Sequence, residues 1–391
     1  MSNTSVSRSA PSWTVLIALS LYTVRVKILA AMSGGVDSSV ATARMVEQGH
    51  DVTGVYLALH ANLASDVVPD GPIAGCGNPR DRLDAARVAD KLGIDFQTWD
   101  YAEVFSKLVV DYFLDAYQQG HTPNPCVHCN EHVKFVVLHQ FAAEHGFDGV
   151  ISGHYASVTH AEQSSSGFAQ LHRARYRAKD QSYVLSAVGL DMLARSFFPL
   201  GDALSKEAVR EEAIRRNLGT GEKPDSYDIC FIPDGDTRGF IEARLGKQAG
   251  EIRDEHGNVV GEHSGIYGYT IGQRKGLGLD RSMQGKEPKF VIDVDARTNT
   301  VTIGPKELLA VRKITGTQAN WLAPDISDDA VEAFVQVRAH GREIPALIRR
   351  DDDVMHIDLH EEVRGLPRGQ SVVVYHNDRV LGRALVAQTH Q

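Results

Sequence analysis

The feature that most constrains the fold is a short apolar segment followed directly by a glycine-containing loop and a helical pattern. Residues 26–31 are mostly apolar and are typical of a buried parallel strand. The loop, residues 32–39, reads Met-Ser-Gly-Gly-Val-Asp-Ser-Ser. Apolar residues then recur at Val36, Val40 and Ala43, the spacing of one helical face. The sequence therefore predicts a strand–loop–helix unit of a parallel sheet.

The same alternation of strand and helix patterns continues to about residue 218. Strands are predicted at 52–59, 96–99 and 150–152, and helices at 78–92, 103–119, 131–145, 181–195 and 205–218. Such alternation favours an α/β fold with a parallel sheet covered on both faces. Residues 223–278 are instead rich in Gly, Asp and His, with one hairpin at 251–260.

Beyond residue 289 the pattern is β throughout. Strands are predicted at 290–294, 300–303, 333–337, 344–348, 355–359, 371–375 and 380–386. Short strands at this density indicate a small barrel or sandwich.

A chain of 391 residues exceeds what one hydrophobic core supports, so several domains are expected. We predict a parallel-sheet domain at 26–218, a central β-rich linker domain at 219–284 and a C-terminal β-barrel at 285–391. Residues 1–25 are expected to lie outside the fold, as an early start codon would produce. An extra ordered segment or a targeting peptide would also account for them, although no cleavage site is clear and the apolar stretch is too short for a membrane span.

Composition sets two further limits. The formal net charge of -9 argues weakly against a nucleic-acid binder but leaves room for a local basic patch. Such a stretch is formed by Arg274, Lys275, Arg281, Lys286 and Lys289. Four cysteines are too few for a disulfide scaffold of this length and fit a reducing, cytoplasmic setting.

The glycine-containing loop is suited to binding phosphate. Glycines allow close backbone approach, and the amides of the first helical turn point at an anion. Ser33, Ser38 and Ser39 add hydroxyl groups, and Asp37 could hold Mg²⁺. No lysine follows as in a Walker A loop, so the pattern favours pyrophosphate release and adenylyl transfer. A plain turn with a serine cap would also fit the residues; the loop itself resembles the ATP pyrophosphatase (PP-loop) superfamily.

Cysteines 126 and 129 form a C-x-x-C pair just before the predicted helix 131–145. Cys129 at a helix start is a plausible nucleophile because the helix dipole lowers a thiol pKa. His128 and His132 could assist it. Three interpretations of the pair are open: a redox pair, two metal ligands, or one nucleophilic cysteine beside an uninvolved one. A structural zinc site would require a second cysteine or histidine pair, and no second C-x-x-C is present. Cys230 is either functional or a buried inert cysteine.

Taken together, these motifs resemble the bacterial tRNA-specific 2-thiouridylases from about residue 27 to the C-terminus. The motifs are Ser-Gly-Gly-Val-Asp-Ser-Ser (33–39), Thr-Pro-Asn-Pro (122–125) with Cys129-Asn130, Ser-Gly-His-Tyr (152–155), Lys-Asp-Gln-Ser-Tyr (179–183), Ile-Cys-Phe-Ile (229–232), Tyr-Thr-Ile-Gly-Gln-Arg-Lys-Gly-Leu-Gly (269–278) and Pro-Arg-Gly-Gln (367–370). The loop is shared by many synthetases, whereas the later blocks in this order are specific.

The resemblance implies ATP-dependent 2-thiolation of the tRNA wobble uridine, with Cys129 as nucleophile and Cys230 as the persulfide intermediate. It implies that ATP is bound by Ala31, Met32, Ser33, Gly34, Gly35, Val36, Asp37, Ser38, Leu57 and Gly153. It implies that Asn124, Pro125 and Cys126 meet the target base and that Lys179, Asp180, Gln181 and Arg338 contact tRNA. The implied partners are tRNAs for Lys, Glu and Gln and a cysteine desulfurase or sulfur-relay protein. A monomer away from membranes is expected.

One residue departs from the family pattern. Many members carry Asp at the position of Cys126. Cys126, Cys129 and Cys230 could therefore hold a [4Fe–4S] cluster with one open iron, in place of the persulfide route. If the chain were a different PP-loop amidotransferase or synthetase, the loop would bind ATP but Cys129 and Cys230 would have no function. If the chain were a tRNA-binding sulfur carrier without catalysis, the cysteines would carry sulfur but the phosphate loop would have no function.

Overall fold

The computed structural model describes residues 25–59, 79–225, 229–232, 234–279, 287–326 and 330–391. The predicted leader therefore lies outside the described residues, apart from Arg25, as do Cys76, Arg281 and Lys286. Among the residues that the structure describes, no helix combines the length and the hydropathy that crossing a bilayer requires.

The first region is a parallel five-stranded sheet in the order β3-β2-β1-β4-β7. Its strands are β1 (Lys27–Ala31), β2 (Asp51–Ala58), β3 (Asp95–Asp100), β4 (Gly149–Ile151) and β7 (Ser196–Phe197). The two neighbours of β1 are β2 and β4, both parallel to it, and β1 leads directly into the glycine-containing loop. The predicted α/β class is confirmed.

Helices connect these strands. They are α1 (Val36–Glu47), α2 (Pro79–Leu92), α3 (Ala102–Phe105, π-helical Ser106–Val110, Asp111–Gln118), α4 (Pro125–Cys129, π-helical Asn130–Lys134, Phe135–Glu144), α5 (Ser182–Leu185), α6 (Leu190–Leu193) and α7 (Lys206–Arg215). The helix predicted at 181–195 is thus two short helices. The helix predicted to begin at 131 begins at Pro125, because the Asn124 side chain caps it and proline suits the first helical position.

The central region begins with α8 (Thr237–Leu245) and continues into a four-stranded sheet. The strands are β8 (Gly250–Arg253), β9 (Val259–His263), β10 (Phe290–Asp295) and β11 (Thr300–Gly304). Because β11 pairs with β8, residues 290–304 belong with the central sheet and not with the barrel. We therefore propose that the second boundary lies between 304 and 310 and not after 284.

The C-terminal region is a closed antiparallel barrel. Its strands are β12 (Ala310–Trp321), β13 (Ala330–Gln336), β14 (Ile344–Asp351), β15 (Val354–Arg364), β16 (Ser371–His376) and β17 (Arg379–His390). Pairing of β12 with both β15 and β17 closes it. The barrel also extends into the first region, since β17 pairs with β6 (Gln170–Arg173), which pairs with β5 (Ala156–Thr159).

Candidate functional site

A cavity of about 290 Å³ lies at the carboxyl ends of β1, β2 and β4. The predicted ATP-binding residues that line it are Ala31, Met32, Ser33, Asp37, Ser38, Leu57 and Gly153. Gly34, Gly35 and Val36 do not line it, and Val36 is buried in the core behind the loop. A cleft outside the carboxyl ends of parallel strands is where α/β proteins bind their ligands.

Two glycines allow the loop to take this shape. Gly34 has a φ of +74°, and a Cβ there would lie 2.0 Å from the backbone oxygen of Asp81. Gly153 brings the end of β4 against the start of α1, because a Cβ would lie 2.5 Å from the Ser38 amide nitrogen. Ser38 Oγ in turn accepts a hydrogen bond from the Ser33 amide at 3.1 Å. The loop is therefore packed closely on both sides.

Asp37, predicted to hold Mg²⁺, is engaged by protein groups in this structure. The Lys206 ammonium donates to both Asp37 carboxylate oxygens at 2.7 Å, and the Tyr155 hydroxyl donates to Oδ1 at 2.8 Å. The Lys206 side chain is only 8% exposed. A buried ammonium between carboxylates near a phosphate loop is suited to stabilising anionic oxygen.

Asp225 shares the same lysine. It lies 3.1 Å from Lys206, 2.7 Å from Lys179 and 2.6 Å from Arg210. Burial alone would raise the pKa of Asp225, but hydrogen bonds from Lys179 and Lys206 outweigh it and lower the pKa to about 2. A second lysine, Lys223, donates to the Gly34 carbonyl at 3.0 Å and so fixes the loop from outside.

The sequence did not predict several residues in or beside this cavity. Lys206 and Asp225 lie in no recognisable sequence motif. His154 and Tyr155 belong to the Ser-Gly-His-Tyr motif at 152–155, whose residues other than Gly153 were not predicted to bind ATP. Burial lowers the pKa of His154 to about 3, so the ring is neutral at pH 7. Lys134, on the cysteine-bearing helix α4, also lines the cavity.

The start of α4 differs from the prediction. The Asn124 side chain accepts from the amides of Cys126 and Val127, both at 3.2 Å, so the helix begins just before Cys126. Cys129 lies a full turn further on and is buried. Because the dipole effect fades within the first turn, it acts on Cys126 more than on Cys129.

The structure brings Cys129 and Cys230 into one apolar cluster. Its buried members are Leu59, Phe105, Val109, Cys129 and Val133, with Leu57, Tyr101, Val110, Cys230 and Phe231 packed against them. Leu57 and Leu59 also line the cavity beside the phosphate loop. Cys126 is half-buried and is not part of this cluster. None of the three described cysteines forms a disulfide.

The residues assigned to tRNA contact have varied environments. Asp180 is 9% exposed, and its carboxylate accepts from Arg173, Ser182 and the Ala174 amide, a structural arrangement. Gln181 accepts from the Tyr155 amide and lines the cavity.

Arg338 is exposed at a second cavity, of about 590 Å³, where all three regions meet. Its lining includes Thr122, Gln273, Lys306, Arg338, Arg364 and Gln370. The Gln370 side chain donates to the Thr122 carbonyl at 2.7 Å, so the barrel is attached to the segment that precedes α4.

A parallel sheet, a phosphate-type loop at its carboxyl edge and two nearby cysteines define a nucleotide-using enzyme of the PP-loop type. Three family models match the chain: "tRNA methyl transferase HUP domain" at 26–234, "tRNA methyl transferase PRC-barrel domain" at 238–305 and "Aminomethyltransferase beta-barrel domain" at 311–386.

Curated relatives match over nearly the whole chain. The tRNA-specific 2-thiouridylase MnmA of Beutenbergia cavernae is 50% identical over 368 residues, covering 93% of this chain and 95% of the relative. Those of Kineococcus radiotolerans and Salinispora tropica are 48% and 47% identical, each covering 93% of this chain and 99% of the relative. The chain belongs to the tRNA-specific 2-thiouridylase family.

Proposed function

We propose that this chain catalyses the ATP-dependent 2-thiolation of uridine in tRNA. The observation that carries the proposal is the continuity of two sites. The phosphate loop lines one side of a cavity, and Leu57 and Leu59 connect that cavity to the apolar cluster containing Cys129 and Cys230. An activated base in the cavity would therefore face the sulfur-bearing cysteines.

The first half of the reaction activates the base. The uridine 2-oxygen attacks the α-phosphorus of ATP, pyrophosphate leaves, and an adenylated base forms. Ser33 and Ser38 would contact the phosphates, and Lys206 would stabilise the negative charge that develops there. We expect Mg²⁺ to enter with ATP and to be shared with the Asp37 carboxylate.

The second half replaces oxygen with sulfur. Cys230 would carry a persulfide from a protein donor; its outer sulfur bonds to the base carbon while the carbon–oxygen bond breaks and AMP leaves. The Cys129 thiolate then attacks the inner sulfur, which releases the thiolated base and leaves a Cys129–Cys230 disulfide. An external dithiol reduces this disulfide before the next cycle.

The apolar cluster favours this route over a three-cysteine iron–sulfur cluster. Cys129 and Cys230 share the cluster, whereas Cys126 lies outside it at the start of the helix. The closely packed surroundings of Cys129 would also exclude water from a persulfide.

The test is a series of cysteine variants with unmodified tRNA, ATP, Mg²⁺ and a persulfide-loaded cysteine desulfurase, with 2-thiouridine measured by mass spectrometry. We expect no product from Cys129→Ser or Cys230→Ser and substantial product from Cys126→Ser. Loss of activity in all three, together with iron in anaerobically purified protein, would instead support the cluster. Full activity of Cys230→Ser would refute the proposal.

A further inference from the structure

A group of side chains able to bind a metal ion lies on α4. The sequence suggested that His128 and His132 assist Cys129, but the thiolation steps proposed for this chain use neither. His128, Glu131 and His132 each offer a ligand atom, and these atoms lie within 4.8 Å of one another. We propose that they form a binding site for one transition-metal ion of the Zn²⁺ class. The site does not depend on the thiolation proposal, because the reaction steps proposed there use none of the three residues.

The spacing follows from the helix. Residues three and four apart lie on the same helical face, so the three side chains converge without long-range folding. The Glu131 Oε2 to His132 Nε2 distance is 3.6 Å. Tetrahedral zinc with bonds of about 2.0–2.1 Å places its ligand atoms about 3.3 Å apart. The three ligand atoms lie within 4.8 Å of one another, so each pair must approach by at most about 1.5 Å.

The surroundings hold two of the ligands in place. The His128 ring stacks on Tyr112 at 3.7 Å, with the planes 5° apart. The ring also hydrogen-bonds to the backbone of Leu108. One ring nitrogen is therefore held by the backbone, the arrangement typical of a metal-bound imidazole.

Glu131 has an outer partner as well. The guanidinium of Arg383, a buried residue of β17, donates to Glu131 Oε2. Such a contact orients a carboxylate ligand while leaving lone pairs for the metal. Two imidazoles and one carboxylate favour Zn²⁺, Co²⁺ or Fe²⁺ over Mg²⁺ and Ca²⁺, which prefer oxygen ligands.

The experiment compares two histidine variants of the full chain. His132→Gln removes the exposed ligand, and His145→Gln, an exposed histidine at the end of the same helix, is the matched control. Each is made in the natural chain and in a chain with all four cysteines changed to Ser, so that thiols cannot account for binding. After chelator treatment, Zn²⁺ binding is measured by calorimetry and Co²⁺ binding by visible absorption, without ATP or tRNA.

We expect one ion per chain in the control, and binding at least about tenfold weaker in His132→Gln. Equal affinity of the two variants overturns the proposal, as does the absence of stoichiometric binding in the control. Binding that disappears only with the cysteines assigns the metal to the thiols and also overturns it. A failure here leaves the thiolation proposal untouched, because that proposal is tested by product formation.

Discussion

The phosphate loop and the cysteine cluster are neighbouring sites held together by different forces. Around the loop, Lys206 pairs with Asp37 and Asp225, and Lys223 pairs separately with Asp84. These ion pairs join segments that are far apart in the sequence. Around Cys129, packing is apolar and includes edge-on aromatic contacts such as Phe105 with Phe231 at 5.9 Å. We therefore propose that charge organises the nucleotide half of the reaction and that water exclusion organises the sulfur half.

Among the variants considered, Lys206→Met is expected to impair the ion pairs around the phosphate loop most strongly. It leaves Asp37 and Asp225 without their shared cation, and we expect ATP-dependent pyrophosphate release to fall by about 10²–10³-fold. Stability should fall by about 2–3 kcal/mol, less than for fully buried pairs because both carboxylates are partly exposed. Urea unfolding and a pyrophosphate assay measure the two effects.

Arg210→Met is the matched control, because Arg210 pairs with Asp225 but has no contact with Asp37. It should retain most of the pyrophosphate release. Equal activity and stability in the two variants would show that Lys206 has no special role.

Gly153→Ala tests the close packing of the loop. The added methyl group would lie 2.5 Å from the Ser38 amide, and neither backbone can yield easily. We expect a stability loss of about 1–3 kcal/mol and a higher KM for ATP. Gly261→Ala, where the nearest atom is 3.6 Å away, should change neither quantity. An unchanged KM in Gly153→Ala would argue against a preformed loop.

Val133→Ala is expected to disturb the apolar cluster around Cys129 and to leave the phosphate loop unchanged. Val133 is fully buried in the cluster with Cys129, and its truncation opens a cavity at a cost of about 1–2 kcal/mol. We expect less 2-thiouridine per pyrophosphate released, because water can reach the persulfide. Val137→Ala, one turn later on α4 and outside the cluster, is the control and should keep the ratio of wild type.

The smallest expected effect is on pH dependence. The pKa of Asp225 is lowered to about 2 in the folded state, from 3.8 without its partners. Its stabilising contribution is therefore complete above about pH 4 and is lost as pH falls through about 2. Between pH 4 and 2, unfolding midpoints should fall less steeply in Asp225→Asn than in wild type. Parallel curves would contradict the assigned ion pairs.

Local sequence signals predicted the strand, loop and helix at 26–47 because those elements are built from neighbouring residues. The same signals could not find Lys206, which meets Asp37 across 169 positions. Strand β12 was missed because register shifts interrupt its alternation of buried and exposed residues. The start of α4 was misplaced because the Asn124 cap and Pro125 at the first helical position set it, and not the spacing of apolar residues.

The variant Cys129→Ser separates base adenylation from sulfur transfer most directly. With unmodified tRNA, ATP and a persulfide donor, pyrophosphate release and 2-thiouridine are measured in the same reaction. We predict that this variant still releases pyrophosphate on addition of tRNA but forms no 2-thiouridine. Formation of 2-thiouridine at the wild-type yield would contradict the assignment of the cysteine cluster to sulfur transfer.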